Sequence, residues 1–233
     1  VVLGTTRVLS AVPFMALHDG TKWLVEKVAV SQYSNLMHLW RYSRQEPKLS
    51  ENAVITYSLQ HEAREPASEE VTLGAAQVEK QTRSEFTKEN IIDSFSSSKT
   101  PNVVFLENIR IKDNDIFSCP VAQRGTLKLH DFLTSAMRGP KILGFLNPYY
   151  EAYGTGAEEF LSRIAGSVEA DRMILSFWQN SGKSKSKFLE KFFSETALGM
   201  KAADAIRSAT LLVKADAAYS HPHHWASLSL WGG

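Results

Sequence analysis

The sequence predicts an α/β fold in which a mostly parallel central sheet carries helices on both faces. Apolar runs of strand length, such as Val103-Val104-Phe105-Leu106 and Ile142-Leu143-Gly144-Phe145-Leu146, lack polar alternation, the mark of strands buried on both faces. Stretches with the 3.6-residue period of an amphipathic helix separate them. The 233 residues are 43% hydrophobic and 22% charged, enough apolar content for a sizeable core and too much for a disordered chain.

Taken in order, residues 1–4 read as a short strand and residues 23–30 (WLVEKVAV) as a second. Residues 34–42 follow as a helix, since Leu36, Leu39 and Trp40 fall on one face. The β-branched density of residues 52–58 (NAVITYS) predicts a strand, and the polar stretch 62–70, with Pro66, a loop. Helices are expected over 74–86 and 87–95, the second opened by Thr87 with Asn90 three residues on. Residues 94–101 (SFSSSKTP) are the most linker-like segment and subdivide the chain into an N-terminal part, 1–95, and a C-terminal part, 100–233. Residues 102–106, 142–146 and 173–178 then read as buried parallel strands. Helices are expected at 129–137, 157–167, 184–197 and 200–214, and 225–231 (WASLSLW) alternates as a final strand. Right-handed βαβ units place the chemistry of such sheets beyond the carboxyl ends of the strands, just after Leu106 and Leu146.

Charge and cysteine content narrow the function. Lys and Arg number 26 against 25 Asp and Glu, a net charge of +1, so no excess basic field exists to hold a nucleic-acid backbone. Cys119 is the single cysteine, which excludes an intramolecular disulfide and points to a reducing, cytoplasmic setting. No apolar run approaches the ~18 residues of a membrane span. The chain opens Val1-Val2-Leu3-Gly4, without Met or a charged leader, and is expected to be a domain cut from a longer protein.

The closing stretch from His221 to Gly232 (HPHHWASLSLWG) resembles the end of CHAT domains, caspase-like peptidase domains attached to TPR arrays. Residues 12–17 (VPFMAL) resemble the family's early "LPFAAL" segment, and residues 23–30 the strand after it. Leu175-Ser176-Phe177-Trp178 resembles its "ASLW" strand and residues 202–209 (AADAIRSA) its "ALRAAQ" helix. The likeness runs through nearly the whole chain in order. It implies a single CHAT-like domain over 1–233, a caspase-like three-layer sandwich, and TPR repeats in the parent chain as a partner in cis.

The family's chemistry is a His/Cys dyad, in which histidine generates the thiolate that attacks a peptide carbonyl. Its histidines lie in a motif like "HLATHG"; the aligned residues here are Phe105-Leu106-Glu107-Asn108-Ile109-Arg110, so they fall on Phe105 and Ile109. Its cysteine lies in a motif like "LSACET", matched here by Gly144-Phe145-Leu146-Asn147-Pro148-Tyr149, which puts Asn147 at the nucleophile. Neither phenylalanine nor isoleucine moves a proton, and an amide nitrogen with a delocalised lone pair is no nucleophile at neutral pH. Both motifs are rewritten throughout. The expectation is a domain without catalytic residues, kept as a protein- or peptide-binding or regulatory module, with a purely structural domain packed against TPR repeats as the alternative.

A displaced dyad would have to use Cys119, before Pro120 in an irregular stretch between Ile111 and Gly125, and His130 at the start of the next helix. The competing reading is a partly buried thiol that behaves as a small hydrophobe, beside a surface histidine. His221, His223 and His224 invite a zinc reading, yet adjacent residues in a turn rarely converge on one ion, and a turn set by Pro222 that delivers Trp225 into the core is preferred. No metal or cofactor is expected. Lysines 183, 185 and 187 lack Walker-type glycine spacing and read as a solvated loop, and Gly154-Thr155-Gly156 as a glycine turn without catalytic use. Tyr149, Tyr150 and Tyr153, just after Asn147, place three aromatics at the old cleft. They are the candidate binding residues for a protein or peptide partner, with core or loop packing the alternative.

Overall fold

The computed structural model describes residues 1–5, 9, 12–33, 54–58, 78–81, 87–96, 103–107, 110–111, 117–120, 126–128, 131, 141–146, 149–150, 170–180 and 182–232. In chain order the strands are β1 (Val2–Gly4), β2 (Ser31–Tyr33), β3 (Val54–Ser58), β4 (Val78–Gln81), β5 (Val103–Glu107), β6 (Arg110–Ile111), β7 (Phe117–Pro120), β8 (Thr126–Lys128), β9 (Ile142–Leu146), β10 (Tyr149–Tyr150), β11 (Arg172–Ser176) and β12 (Leu228–Trp231). The helices are α1 (Leu24–Lys27), α2 (Lys88–Ser96), α3 (Gly182–Ala197), α4 (Ala202–Ala215) and α5 (Pro222–Trp225).

Eight strands form one sheet in the order β1-β2-β12-β11-β9-β5-β3-β4, parallel at every pairing but one: β11 and β12 are antiparallel. The apolar runs that predicted β5, β9 and β11 occupy its centre. Their alternate residues Val103, Phe105, Ile142, Leu146 and Ile174 join one core with Phe188, Phe192 and Phe193 of α3 and Ala205, Ile206, Ala209 and Val213 of α4. The intervening Val104, Leu106, Leu143, Phe145, Met173 and Leu175 are buried as well, on the opposite face. Burial on both faces is the three-layer requirement that the missing alternation foretold.

Gly144 is where two central strands fit together. It is in register with Phe105, and a Cβ on it would lie 1.8 Å from the Phe105 Cδ1. The absent side chain is the space the ring fills. The ring also packs edge-on against Phe193, with centroids 5.7 Å apart.

Four elements differ from the sequence reading. Residues 23–30 are not one strand: α1 forms first, its Trp23 N–H bonded to Glu26 Oε2 at 2.7 Å, and the strand begins only at Ser31. A tertiary contact decides this. Arg207 on α4 donates to the carbonyls of Val25 and Glu26, each at 2.8 Å, and satisfies groups that the end of a one-turn helix leaves open. Within 74–86, residues Val78–Gln81 are a strand, because β3 offers its free side and pairing overrides local helical pattern. Trp225 ends a helical turn rather than starting the final strand. Pro222 occupies the first turn of α5 and His221 Nδ1 accepts the His223 N–H at 3.2 Å, so the chain straightens only at Leu228. The lysine segment is not a loop either: it forms the first turns of α3, where Ser184 and Lys185 are buried.

Thr87 does cap α2, its hydroxyl accepting the Asn90 N–H at 3.1 Å. The linker-like run begins inside that helix, which extends through Ser96. The helices expected over 34–42, 157–167 and, Asp131 apart, 129–137 lie outside the described residues. Among the described residues no helix is long and apolar enough to cross a membrane.

Candidate functional site at the carboxyl edge

Strands β3, β5, β9 and β11 run parallel, so Ser58, Glu107, Leu146 and Ser176 end at one edge of the sheet. At the middle of that edge a second, four-stranded sheet begins, in the order β10-β6-β7-β8. Strand β5 leads through residues 108–109 into β6, and β9 leads through 147–148 into β10. The register carries across both links. Glu107 pairs with Leu146, a difference of 39 in residue number, and Arg110 with Tyr149, again 39. Links of equal length therefore keep the two chains in step from one parallel pair to the next.

These two links hold the positions of the expected dyad. Ile109 and Asn147 lie in them and fall outside the described residues, as do His130 and Tyr153. Phe105, aligned with the first histidine of the motif, is 1% exposed in the core beside Gly144 and Phe193. It faces helices, not the edge. Cys119 does not stand in an irregular stretch: it belongs to β7, paired with Leu127 of β8. Tyr149 and Tyr150 form β10, paired with Arg110 and Ile111. The topology thus brings Cys119, Tyr149 and Tyr150 into one small sheet beyond the ends of β5 and β9.

The neighbouring part of the edge, beyond β11, is closed by hydrogen bonds. Ser176 Oγ donates to the Trp178 carbonyl at 2.6 Å, and Trp178 Nε1 donates to the His223 carbonyl at 2.8 Å. The Trp178 and His223 rings stack with centroids 6.0 Å apart. Asn180 Nδ2 bonds Ser227 Oγ, and the Phe177 N–H meets the Ser227 carbonyl at 2.7 Å. Sequence reasoning passed over Asn180, and it met Ser176 and Ser227 only inside the stretches that carry the resemblance, without a role for either. The three histidines there have separate tasks: His221 caps α5, His223 stacks on Trp178, and His224 packs edge-on to Tyr219 at 5.5 Å. Among the described residues no group of three or more His, Cys, Asp or Glu side chains is placed to hold a metal ion.

Among the described residues three carboxylates titrate below their ordinary range, and each does so for a structural reason. Asp19 is lowered by the Lys27 ammonium and by the N–H groups of Lys22 and Thr21 in its own turn. Glu26 is lowered by the Trp23 N–H it caps and by Lys214, and Asp216 by Lys187 and the Ala218 N–H. Perturbed pKa values gather at catalytic sites, but these three mark caps and turns.

No known family's sequence profile matches the chain, and no curated protein matches it in sequence. Among solved structures it is similar to the complex of the pro- and mature domains of RgpB from Porphyromonas gingivalis, with a TM-score of 0.50 and 10% identity. The match covers 88% of this chain and 55% of that one, so the chain spans about half its length. A likeness at this identity concerns the fold alone, which is the caspase-like α/β sandwich.

Proposed function

We propose that this chain is a CHAT-like domain, single over 1–233, that lacks the peptidase dyad and works as a protein- or peptide-binding module. The observation that carries the reading is Phe105. The residue aligned with the first motif histidine is a core ring, sealed between Gly144 and Phe193 and 1% exposed. With Ile109 and Asn147 at the remaining dyad positions, no residue aligned with the dyad transfers a proton or attacks a carbonyl. Recognition outlasts such a loss, because backbone pairing and side-chain contacts need no nucleophile.

The binding surface in this reading is the sheet grown from the carboxyl edge, where β10 is an edge strand among the described residues. An edge strand offers open N–H and C=O groups to an extended segment. The partner is a protein or peptide, with TPR repeats of the parent chain as the docking partner in cis, and the setting is cytoplasmic. A second reading, a peptidase with a relocated Cys119/His130 pair, draws on Cys119 lying in that same sheet.

A displayed random-peptide library panned on the purified protein tests the reading. Enriched peptides should bind wild type and lose about thirtyfold or more, ~2 kcal/mol, when Tyr149, Tyr150 and Tyr153 are replaced by alanine. Enriched peptides that bind the triple variant as well as wild type would contradict it, and so would a protein that enriches none.

A further inference from the structure

Histidines occupy positions 221, 223 and 224 at helix α5, and closure of that turn uses a lone pair on one of them. The His223 N–H donates to His221 Nδ1 at 3.2 Å, which caps the turn. A ring nitrogen accepts only while it carries no proton, so protonated His221 would set donor against donor. His224 Nδ1 is buried and has no hydrogen-bond partner among the described residues. An imidazolium there would bury a cationic N–H without an acceptor. Helix α5 in turn holds the segment after β11. The His223 carbonyl accepts Trp178 Nε1 at 2.8 Å, the His224 carbonyl accepts Asn180 Nδ2 at 3.4 Å, and the His223 ring stacks on Trp178.

We infer that α5 is an acid-released clasp on the carboxyl edge, closed while His221 and His224 are neutral and opened, with release of Trp178, when they are protonated. Imidazole is the side chain that ordinarily changes charge between pH 5 and 8. Among the described residues, the carboxylates of the elements packed against α5 are engaged or solvent-exposed. Asp216 holds Lys187 and the Ala218 N–H, Glu195 holds Lys191 and the Ser208 hydroxyl, and Glu190 and Asp204 are exposed. The lysines of those elements, Lys183, Lys185, Lys187 and Lys214 among them, can only repel an imidazolium. Arg207 is committed to the carbonyls of Val25 and Glu26. Tyr219 meets the His224 ring edge-on at 5.5 Å. Beyond the Trp23–Trp225 pair, His18 takes the Gly20 N–H in a separate turn and Glu26 holds Lys214. His223 acts in the other sense, since a cation gains on the face of Trp178, so it is not the trigger.

The test reads the Trp178 indole N–H by NMR hydrogen exchange in the whole chain, corrected for the intrinsic pH dependence of indole exchange. From pH 7.5 to 5.5 its protection should fall about tenfold or more. Trp231, whose Nε1 donates to Ser229 Oγ at 2.9 Å inside the sheet, should keep its protection over that range. Glu26 and Asp216 stay ionised there, because both are held below their ordinary values of 4.5 and 3.8. His221→Asn with His224→Phe retains a cap and a ring that do not titrate, and should reduce the fall to about threefold or less. If that pair fails to fold, His221→Asn alone should show a fall about threefold smaller than that of wild type. His223→Gln should leave the fall in place. An unchanged Trp178 signal in wild type overturns the inference. So does a full fall in the variants that lack the titrating rings, or loss of the fall in His223→Gln. A fall shared by Trp231 would mark general unfolding and overturn it as well.

Discussion

Gly144→Ala adds one methyl group to the middle of β9, and the structure fixes what that methyl meets. Its carbon would lie 1.8 and 2.0 Å from the Phe105 Cδ1 and Cε1. Ordinary carbon contacts are about 3.5–4.0 Å, so the ring must withdraw by roughly 1.5–2 Å. It has nowhere to go: Phe105 is 1% exposed and held edge-on by Phe193. Overpacking of this kind costs about 1–3 kcal/mol, and the depth of the overlap sets the expectation at the upper end. Phe105→Ala alone should cost about 3–5 kcal/mol through the cavity it leaves. The two changes offset each other in space, since the new methyl enters the volume the ring vacates. The double variant should therefore be more stable than the sum of the singles by at least ~1 kcal/mol. Guanidinium unfolding followed by tryptophan fluorescence measures all three, with the slope required to stay constant. A Gly144→Ala cost within about 0.5 kcal/mol of zero, or additivity within that margin, would refute the packing argument. It would also reopen position 105 as something other than core.

Other perturbations should act as follows. Trp225→Ala should cost about 3–5 kcal/mol in the same unfolding assay, since the indole is 1% exposed, packs edge-on to Trp23 at 5.2 Å and donates to the Ser220 carbonyl at 2.9 Å; Trp225→Phe should lose much less. Glu26 and Asp216 are held below their ordinary values of 4.5 and 3.8, so their contribution is whole above those values and lost as pH falls through the lower folded-state values. The denaturation midpoint should accordingly drop on acidification below about pH 4.5, and Glu26→Gln should flatten part of that drop. Ile109→His with Asn147→Cys should yield no efficient peptidase, because both motifs differ from the family pattern beyond the dyad and catalytic geometry tolerates little displacement; robust cleavage of a peptide substrate by this double variant would contradict the account.

The parts of the fold that the sequence made legible are those with burial written into consecutive residues. The runs Val103 to Leu106, Ile142 to Leu146 and Met173 to Ser176 are strands because nothing polar interrupts them, and α3 and α4 follow their apolar stripes. Misread elements depend on partners distant in sequence. Helix α1 is held by Arg207, 182 residues from Val25, and β4 exists because β3 has an open side. The small sheet was illegible for the same reason: strands of two to four residues have too little local pattern to declare themselves. At the site, the resemblance directed attention to the ends of β5 and β9. That Tyr149 and Tyr150 form a strand paired with Arg110 and Ile111 follows only from the register.

The central claim is that a caspase-like fold persists here without its chemistry, and turnover tests it most directly. Purified protein incubated with a mass-spectrometric peptide library should produce no cleavage above buffer, since neither Ile109 nor Asn147 can act as base or nucleophile. Sequence-selective cleavage by the wild type that disappears in Cys119→Ala would contradict it.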